Sequence, residues 1–212
     1  MNFDANVAPT PKKQSTIKIA TIAKISVLGA LAAVLMIFEI PLWFAPSFYK
    51  IDLSEIPVLI GAFALGPMAG VAIEFIKIIG NFLLNGTLTA GIGELANFLI
   101  GIALVLPASL VYKNKKTRIS AVIGLSLGTI CMTILGGLLN AYVLLPVYAK
   151  VFMPMDALIA AGTGVNGNIT DLTTFVLFAV TPFNLLKGIL VSVFTMVLYK
   201  YLSPILKSNK VF

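Results

Sequence analysis

Long apolar runs recur along the whole chain, and they restrict its fold more than any other feature. The run from Lys18 to Ile40, for example, is close to the roughly 20 residues that a helix needs to cross a bilayer. Of the 212 residues, 59% are hydrophobic and 11% are charged, well outside the range of soluble domains. The short alternating segments of a membrane β-barrel are missing. We therefore predict an all-α, polytopic membrane protein.

Six apolar segments can be distinguished. They run roughly from Lys18 to Ile40, Ser54 to Gly66, Pro67 to Leu84, Gly93 to Tyr112, Arg118 to Pro146 and Thr174 to Leu202. The second is short for a membrane span. Because Gly-Pro is a turn signal and proline suits the first position of a helix, we interpret the second and third segments as a hairpin of two short helices. A single long kinked helix is the alternative, and it would leave an odd number of spans.

The basic residues predict the orientation in the membrane. The net charge is +7, and Lys and Arg cluster before the first segment, between the fourth and fifth, and after the sixth. By the positive-inside rule, all three clusters are cytoplasmic only if six transmembrane helices place both termini inside. We predict cytoplasmic tails at 1–16 and 204–212 around one membrane domain at 17–203. The first run is too long for a signal-peptide core, so we expect it to be retained. The basic residues at the ends of spans argue against nucleic acid as a partner.

Several kinds of chemistry are excluded by composition. The chain has one cysteine, Cys131, and no histidine, so we expect no internal disulfide, no His-ligated metal and no Ser-His triad. No Walker motif is present, which predicts that the chain itself does not hydrolyse ATP. We therefore expect any ATP-driven motor to be another chain.

The strongest polar residues lie in the outer halves of the segments. Asn140 is roughly 9 Å below the outer end of the fifth segment, and Asn184 and Lys187 are roughly 15 to 20 Å below that of the sixth, at 1.5 Å per residue. Asn184 and Lys187 share a helix face. Since a membrane-buried lysine is costly unless it is hydrated or paired, these positions predict a polar cavity that opens outward. The alternative for Lys187 is a structural ion pair with Glu94 or Glu74.

Lys77 has a simpler explanation. Glu74 lies one turn before it, so we expect local charge neutralisation there instead of ligand contact. A membrane enzyme that uses Glu94 or Glu74 as acid or base is a distant alternative, since the sequence contains no recognisable paired constellation.

Three connections and one helix face are further candidates. The glycine-dotted stretch Asn85 to Phe98 offers backbone amides to a polar ligand, although an ordinary turn with a capped helix is the simpler alternative. The aromatic residues around Trp43 form either an interfacial belt or a lid. The long connection at 147–173 is either functional or disordered. Small residues on the first segment allow close helix packing, within the chain or with a partner subunit; they are Ser26, Gly29, Ala30 and Ala33.

Together, these features resemble the substrate-binding S components of energy-coupling factor (ECF) vitamin transporters, in the riboflavin-specific group. The resemblance is carried by "FYKIDLSEIPVLIGAFALGPMAG" after the first segment, "IKIIGNFL" at 76–83, "GTLTAGIGELANFLIG" at 86–101, "LLNAY" at 138–142 and "TPFNLLKG" at 181–188. These motifs cover five of the six predicted helices, in the order and at the intervals that the family has.

The resemblance implies a six-helix protein of the bacterial plasma membrane that binds riboflavin in its outer half and has no cofactor. The implied ligand-binding residues are Asn140, Asn184 and Lys187, with Phe44, Ala45, Thr87, Gly91, Glu94, Asn97 and Tyr142 around them. The implied partners are a transmembrane coupling subunit, contacted through the small-residue face of the first helix, and two ATPases. The same fold binding flavin mononucleotide or another vitamin is the alternative, although a phosphate would require more positive charge.

Overall fold

The computed structural model describes residues 19–87 and 89–207, which are mainly helical. The α-helices in these ranges are α1 Ile19–Ile37, α2 Glu55–Leu65, α3 Pro67–Asn85, α4 Ile92–Lys115, α5 Arg118–Leu139, α6 Leu145–Val151, α7 Met155–Thr163, α8 Leu172–Phe175 and α9 Thr181–Lys207. A π-helical turn, Asn140–Leu144, joins α5 to α6, and a second, Val176–Val180, joins α8 to α9. The predicted helical fold is confirmed. The predicted tail at 1–16 and most of that at 204–212 lie outside the described residues.

Five helical runs in these ranges are long and apolar enough to cross a membrane. They are Ile19–Ile37, Pro67–Asn85, Ile92–Lys115, Arg118–Val151 and Leu172–Pro204. The remaining predicted segment corresponds to α2, which has 11 residues and extends only about 16 Å at 1.5 Å per residue, roughly half of a bilayer core. All six apolar segments are therefore helical, while six full spans and cytoplasmic termini stay predictions.

The turn between α2 and α3 confirms the predicted helical hairpin. Gly66 has a φ of 110°, which a residue with a side chain rarely adopts, and α3 begins at Pro67. A Cβ added at Gly70 would lie 2.6 Å from the Cβ of Ala62, so the two helices double back on each other at close range. The alternative of one long kinked helix is wrong.

Helix α2 occupies the centre of the bundle. It packs against α1, α3, α4 and α9, and Val58, Leu59 and Ile60 are at most 2% exposed. A helix that is apolar on all sides is expected to be buried on all sides. The short second segment is therefore a core helix, and its first residues are placed beneath the loop that precedes it.

That loop is closed by a small antiparallel β-hairpin. Strand β1, Ile40–Pro41, pairs with β2, Lys50–Ile51, and Lys50 forms an ion pair with Glu39 at 2.8 Å. Because successive helices alternate in direction, the ends of α1, α3 and α5 and the starts of α2 and α4 lie at the same end of the bundle. We call it the β-hairpin end. The basic turn at 113–118 lies at the opposite end.

The connection at 147–173, which the sequence leaves as either functional or disordered, contains ordered helices. It contains the end of α6 and all of α7. The last helical run then begins at Leu172, two residues before the predicted start, because the Asp171 side chain accepts a hydrogen bond from the Thr174 N–H (2.8 Å) and caps it. Disorder is therefore the wrong alternative for this connection.

Candidate functional site

A cavity of about 240 Å³ lies at the β-hairpin end. It is lined by Met36, Glu39, Phe48, Tyr49, Lys50, Asp52, Glu55, Gly93, Asn97, Ile100, Met132, Asn140, Leu144, Leu145, Tyr148, Phe183, Asn184 and Lys187. Four of the predicted ligand-binding residues are among them: Asn97, Asn140, Asn184 and Lys187. The structure thus brings residues of α4, α9 and the turn after α5 to one cavity.

The two buried asparagines lie beside the π-helical turns. Asn140 opens the first turn and its Nδ2 donates to the carbonyl of Gly136 (2.8 Å), while Asn184 Nδ2 donates to the carbonyl of Val180 (3.0 Å), the last residue of the second turn. Each amide keeps a second N–H for another acceptor. A Cβ at position 136 would lie 2.9 Å from Asn184 Nδ2, so glycine allows α5 and α9 to meet here. Single π-helical turns are frequent at functional sites, and sequence reasoning missed both.

Aromatic rings form another part of the wall. The ring centroid of Tyr49 is 5.0 Å from that of Phe48 and 5.2 Å from that of Phe183, and Phe48 lies 6.4 Å from Tyr148. The Tyr49 hydroxyl donates to Asn140 Oδ1 at 2.6 Å. Burial raises the pKa of Tyr49 above its ordinary value, so the phenol is neutral and serves as a donor. The rings offer flat apolar contact next to the amides.

Lys187 forms an ion pair with Asp52 at 2.8 Å, and its side chain is 13% exposed. Asp52 also accepts hydrogen bonds from the Ser54 N–H (2.9 Å) and hydroxyl. Burial alone would raise the pKa of Asp52, but the Lys187 ammonium and these hydrogen bonds lower it well below its usual range. The stability from this pair is therefore present at neutral pH and is lost only as pH falls through the lowered pKa. The predicted partners, Glu94 and Glu74, are wrong because neither reaches Lys187.

A second charged cluster lies deeper in the bundle. Lys77 Nζ is 2.6 Å from Glu55 Oε1 and 2.7 Å from Glu74 Oε1, and all three side chains are at most 4% exposed. The predicted pairing of Lys77 with Glu74 is confirmed. Glu55, contributed by the first turn of α2, is a second carboxylate that the sequence analysis did not select. It also lines the cavity, whereas Lys77 and Glu74 do not.

Residues in the turn before α4 form hydrogen bonds mainly with one another. Thr87 Oγ1 donates to Glu94 Oε2 (3.0 Å) and accepts from the Gly91 N–H (3.0 Å). None of these three predicted residues lines the cavity, whereas Gly93 and Asn97 do. The simpler alternative, an ordinary turn that leads into a capped helix, accounts for most of this stretch.

Three other predicted residues also lie away from the cavity. Phe44 packs edge-on against Trp43, which is 90% exposed, and Ala45 is buried within the same loop. Tyr142 is 77% exposed. It follows Asn140 by two residues, which places the two side chains on opposite sides of a helix. The aromatic contacts with the cavity come instead from Phe48 and Tyr49, later in the loop.

Acidic residues at the cavity were the main omission of the sequence analysis. Asp52 and Glu55 stand three residues apart around the first turn of α2, in a chain with only 8 Asp and Glu in total. Because acidic residues are so scarce, two of them at the boundary of an apolar segment could have indicated a functional site. Tyr148 gave no such signal, because it follows the fifth predicted segment in an ordinary-looking connection.

The small-residue face of α1 divides into two parts. Gly29 and Ala33 are buried, and a Cβ at Gly29 would lie 2.5 Å from Ile76 Cγ2 of α3. Ser26 and Ala30 are exposed. Packing within the chain therefore accounts for Gly29 and Ala33, and only Ser26 and Ala30 are accessible to a partner.

The arrangement suits binding more than acid-base chemistry. Glu94 bonds to Thr87 at the start of α4, and Glu74 is sealed against Lys77, so these two carboxylates do not share a site. Across 19–87 and 89–207, no group of three or more His, Cys, Asp or Glu residues is placed to hold a metal ion. The cavity offers amides, two lysines, carboxylates and aromatic rings to an amphipathic molecule.

Known proteins share this fold and sequence. Residues 20–199 match the family described as "ECF transporter, substrate-specific component". The "Riboflavin transporter RibU" of Staphylococcus aureus is 35% identical over 86% of this chain and 90% of its own length. The "Riboflavin transporter FmnP" of Bacillus subtilis is 31% identical over 91% of this chain and 97% of its own.

A solved structure is also similar. The chain described under "Structure and mechanism of the S component of a bacterial ECF transporter" superposes with a TM-score of 0.68 at 33% sequence identity. The alignment covers 89% of this chain and 98% of that one. The likeness therefore extends over most of the chain.

Proposed function

Because the chain belongs to the substrate-specific components of ECF transporters, we propose that it captures riboflavin in the cavity at the β-hairpin end. Transport is then driven by a separate transmembrane coupling subunit and two ATPases, with which this chain assembles in a bacterial plasma membrane. Ser26 and Ala30, the accessible small residues of α1, are the proposed contact with the coupling subunit.

The observation that carries the proposal is the mixed chemistry of the cavity wall. A flavin has an apolar dimethylbenzene side and a pyrimidine edge that alternates donors and acceptors. Asn140 and Asn184 each keep an N–H, and Lys187 keeps donors beyond the one used by Asp52. These groups suit the pyrimidine edge, and the rings around Tyr49 suit the apolar side.

The charges of the cavity favour riboflavin over flavin mononucleotide. Both lysines of the wall are already paired, Lys50 with Glu39 and Lys187 with Asp52, each at 2.8 Å. Glu55 adds a third carboxylate to the same wall. A phosphate group would therefore face more negative than positive charge in this cavity. The wall also lacks the unpaired cations that phosphate sites use.

The distribution of basic residues supports an outward-facing cavity. Lys113, Lys115, Lys116 and Arg118 lie at the end of the bundle opposite the cavity. By the positive-inside rule that end is cytoplasmic, which places the cavity outside and both termini inside. Six membrane helices, with the short α2 as one of them, are consistent with this arrangement.

The test is a titration of the purified chain in detergent with riboflavin and with flavin mononucleotide, following quenching of flavin fluorescence. We expect saturable binding of riboflavin at one site per chain and binding of the phosphorylated form at least about tenfold weaker. Asn140→Ala should weaken binding, and Tyr142→Ala, two residues along but outside the cavity, should not. A folded protein that quenches neither flavin would overturn the proposal.

A further inference from the structure

A second cavity, of about 300 Å³, lies at the end of the bundle opposite the β-hairpin end. It is enclosed by the turn between α2 and α3 and by the last turns of α4, and its walls are residues 62–69 with Ser109, Tyr112, Lys113 and Lys116. Residues 62–69, "AFALGPMA", carry no charged side chain. The second cavity therefore combines an apolar floor with two ammonium groups, and both lysines are exposed.

The positive charge at the second cavity is not neutralised by the protein. Lys113 and Lys116 are three residues apart, so they lie on the same side of the end of α4. The ion pairs among the described residues include neither of them. Along α2, α3 and α4, the nearest described acidic residue is Glu74, about 10 Å along α3 from Pro67, and it is paired with Lys77. The cavity is therefore complementary to an anion.

The backbone at Lys116 does not explain why a lysine occupies this position. Lys116 is the C-cap of α4 and has a φ of 48°, in the left-handed region. Glycine or asparagine is the usual residue where a helix ends in this conformation, because other side chains are strained there. The side chain of Lys116 thus has a role that offsets this strain, and its place at the cavity indicates that the role is binding.

We propose that the second cavity binds the phosphate group of an anionic phospholipid, held between Lys113 and Lys116. Phosphate oxygens accept charge-assisted hydrogen bonds from ammonium groups, and basic pockets between membrane helices suit anionic head groups. The apolar floor suits the glycerol and the first carbons of the acyl chains. Met68 and Leu110, which are exposed beside the cavity, extend this apolar surface toward the bilayer.

A lipid suits the second cavity better than a free phosphate ion does. A free ion would use the two lysines and leave the apolar floor uncovered, whereas a phospholipid covers both parts. In the proposed orientation this end faces the cytoplasm, so the lipid belongs to the inner leaflet. The proposal does not depend on which molecule the cavity at the β-hairpin end binds, because the two cavities share no residue.

The same basic turn provides a matched control. Lys115 and Arg118 lie within two residues of Lys116 but do not line the second cavity. The double variants Lys113→Gln with Lys116→Gln and Lys115→Gln with Arg118→Gln therefore remove equal charge from one turn, and only the first removes the proposed phosphate ligands. A general attraction of basic residues to anionic lipid would be reduced alike in both variants.

The experiment titrates the chain, purified in a neutral detergent, with dioleoylphosphatidylglycerol and with dioleoylphosphatidylcholine, and counts bound lipids by native mass spectrometry. In the unmodified chain we expect one phosphatidylglycerol to bind at least about tenfold more tightly than phosphatidylcholine. The cavity double variant should bind phosphatidylglycerol about 10- to 30-fold more weakly, and the control double variant should change by less than about threefold.

Folding is monitored separately from lipid binding. Size-exclusion chromatography shows whether each variant remains a single species. The single variant Lys113→Gln leaves position 116 unchanged, and we expect it to weaken phosphatidylglycerol binding about three- to fivefold. It tests the proposal even if the change at the left-handed position disturbs the end of α4.

Four results would overturn the assignment. Equal affinity for the two lipids would show that the head group is not recognised. Equal losses in the two double variants would reduce the effect to general charge. Inorganic phosphate that displaces phosphatidylglycerol at a similar concentration would assign the cavity to a free ion. An oligoglutamate peptide that displaces it in the same way would assign the basic end to an acidic protein segment.

Discussion

Lys187 and Lys77 are both lysines in apolar helices, but their surroundings differ. Lys187 pairs with one carboxylate, lines the cavity and is 13% exposed at its side chain. Lys77 contacts two carboxylates, lies outside the cavity wall and is 2% exposed. A charged residue in a membrane helix is a candidate functional site. The two lysines differ in access to the cavity and in the number of opposite charges around them, and these two properties separate a lysine that a ligand can reach from a lysine in a structural ion cluster.

The physical reason is desolvation. An ion in a dry interior is stable only if neighbouring charges and hydrogen bonds replace its hydration. At Lys77 two carboxylates of the protein replace the hydration of the ammonium, so we expect removal of this charge to affect folding first. Lys187 is bonded to a single carboxylate and lines the cavity, so we expect removal of its charge to affect binding first.

The largest expected effect is that of Lys77→Met. It leaves Glu55 and Glu74 facing each other without a cation, so we expect a loss of about 3 to 5 kcal/mol in the free energy of unfolding. Denaturant unfolding in detergent, compared with the unmodified chain, measures it. An unchanged unfolding midpoint would show that the cluster is not needed for stability and would remove the distinction between the two lysines.

Lys187→Met should affect binding more than stability. We expect riboflavin to bind about 10- to 100-fold more weakly, because a charged donor to the ligand is lost. The loss of stability should be smaller than for Lys77→Met, since Asp52 keeps its hydrogen bonds from Ser54. Fluorescence quenching and unfolding on the same samples give both values. Wild-type affinity in this variant would exclude Lys187 as a ligand contact.

The smallest expected effect tests the packing around the Lys77 cluster. A Cβ at Gly101 would lie 2.2 Å from Glu74 Oε1, so Gly101→Ala should cost about 1 to 2 kcal/mol of stability through overpacking. Gly167→Ala is the matched control, because a Cβ there meets no atom within 4 Å. Equal unfolding midpoints for the two variants would mean that α4 moves away from the cluster at little cost.

Local spacing explains what sequence reasoning found at the site. Asn184 and Lys187 share a face, and Lys77 neutralises Glu74, because both relations depend on a three-residue separation in a helix. The same reasoning selected Thr87, Gly91 and Glu94, which bond to one another before α4 and do not line the cavity. Sequence patterns predict which residues are polar and ordered, but not whether they turn toward a ligand.

The apolar helices, the hairpin at Gly66-Pro67 and the cluster of polar residues at one end follow from composition, turn chemistry and helical spacing, so they could be predicted from the sequence. Which charges meet depends on tertiary packing. Lys187 and Asp52 are 135 residues apart, Tyr49 and Asn140 are 91 apart, and Lys77 and Glu55 are 22 apart. Such contacts depend on how α2 is buried among its neighbours, and no local pattern records that packing.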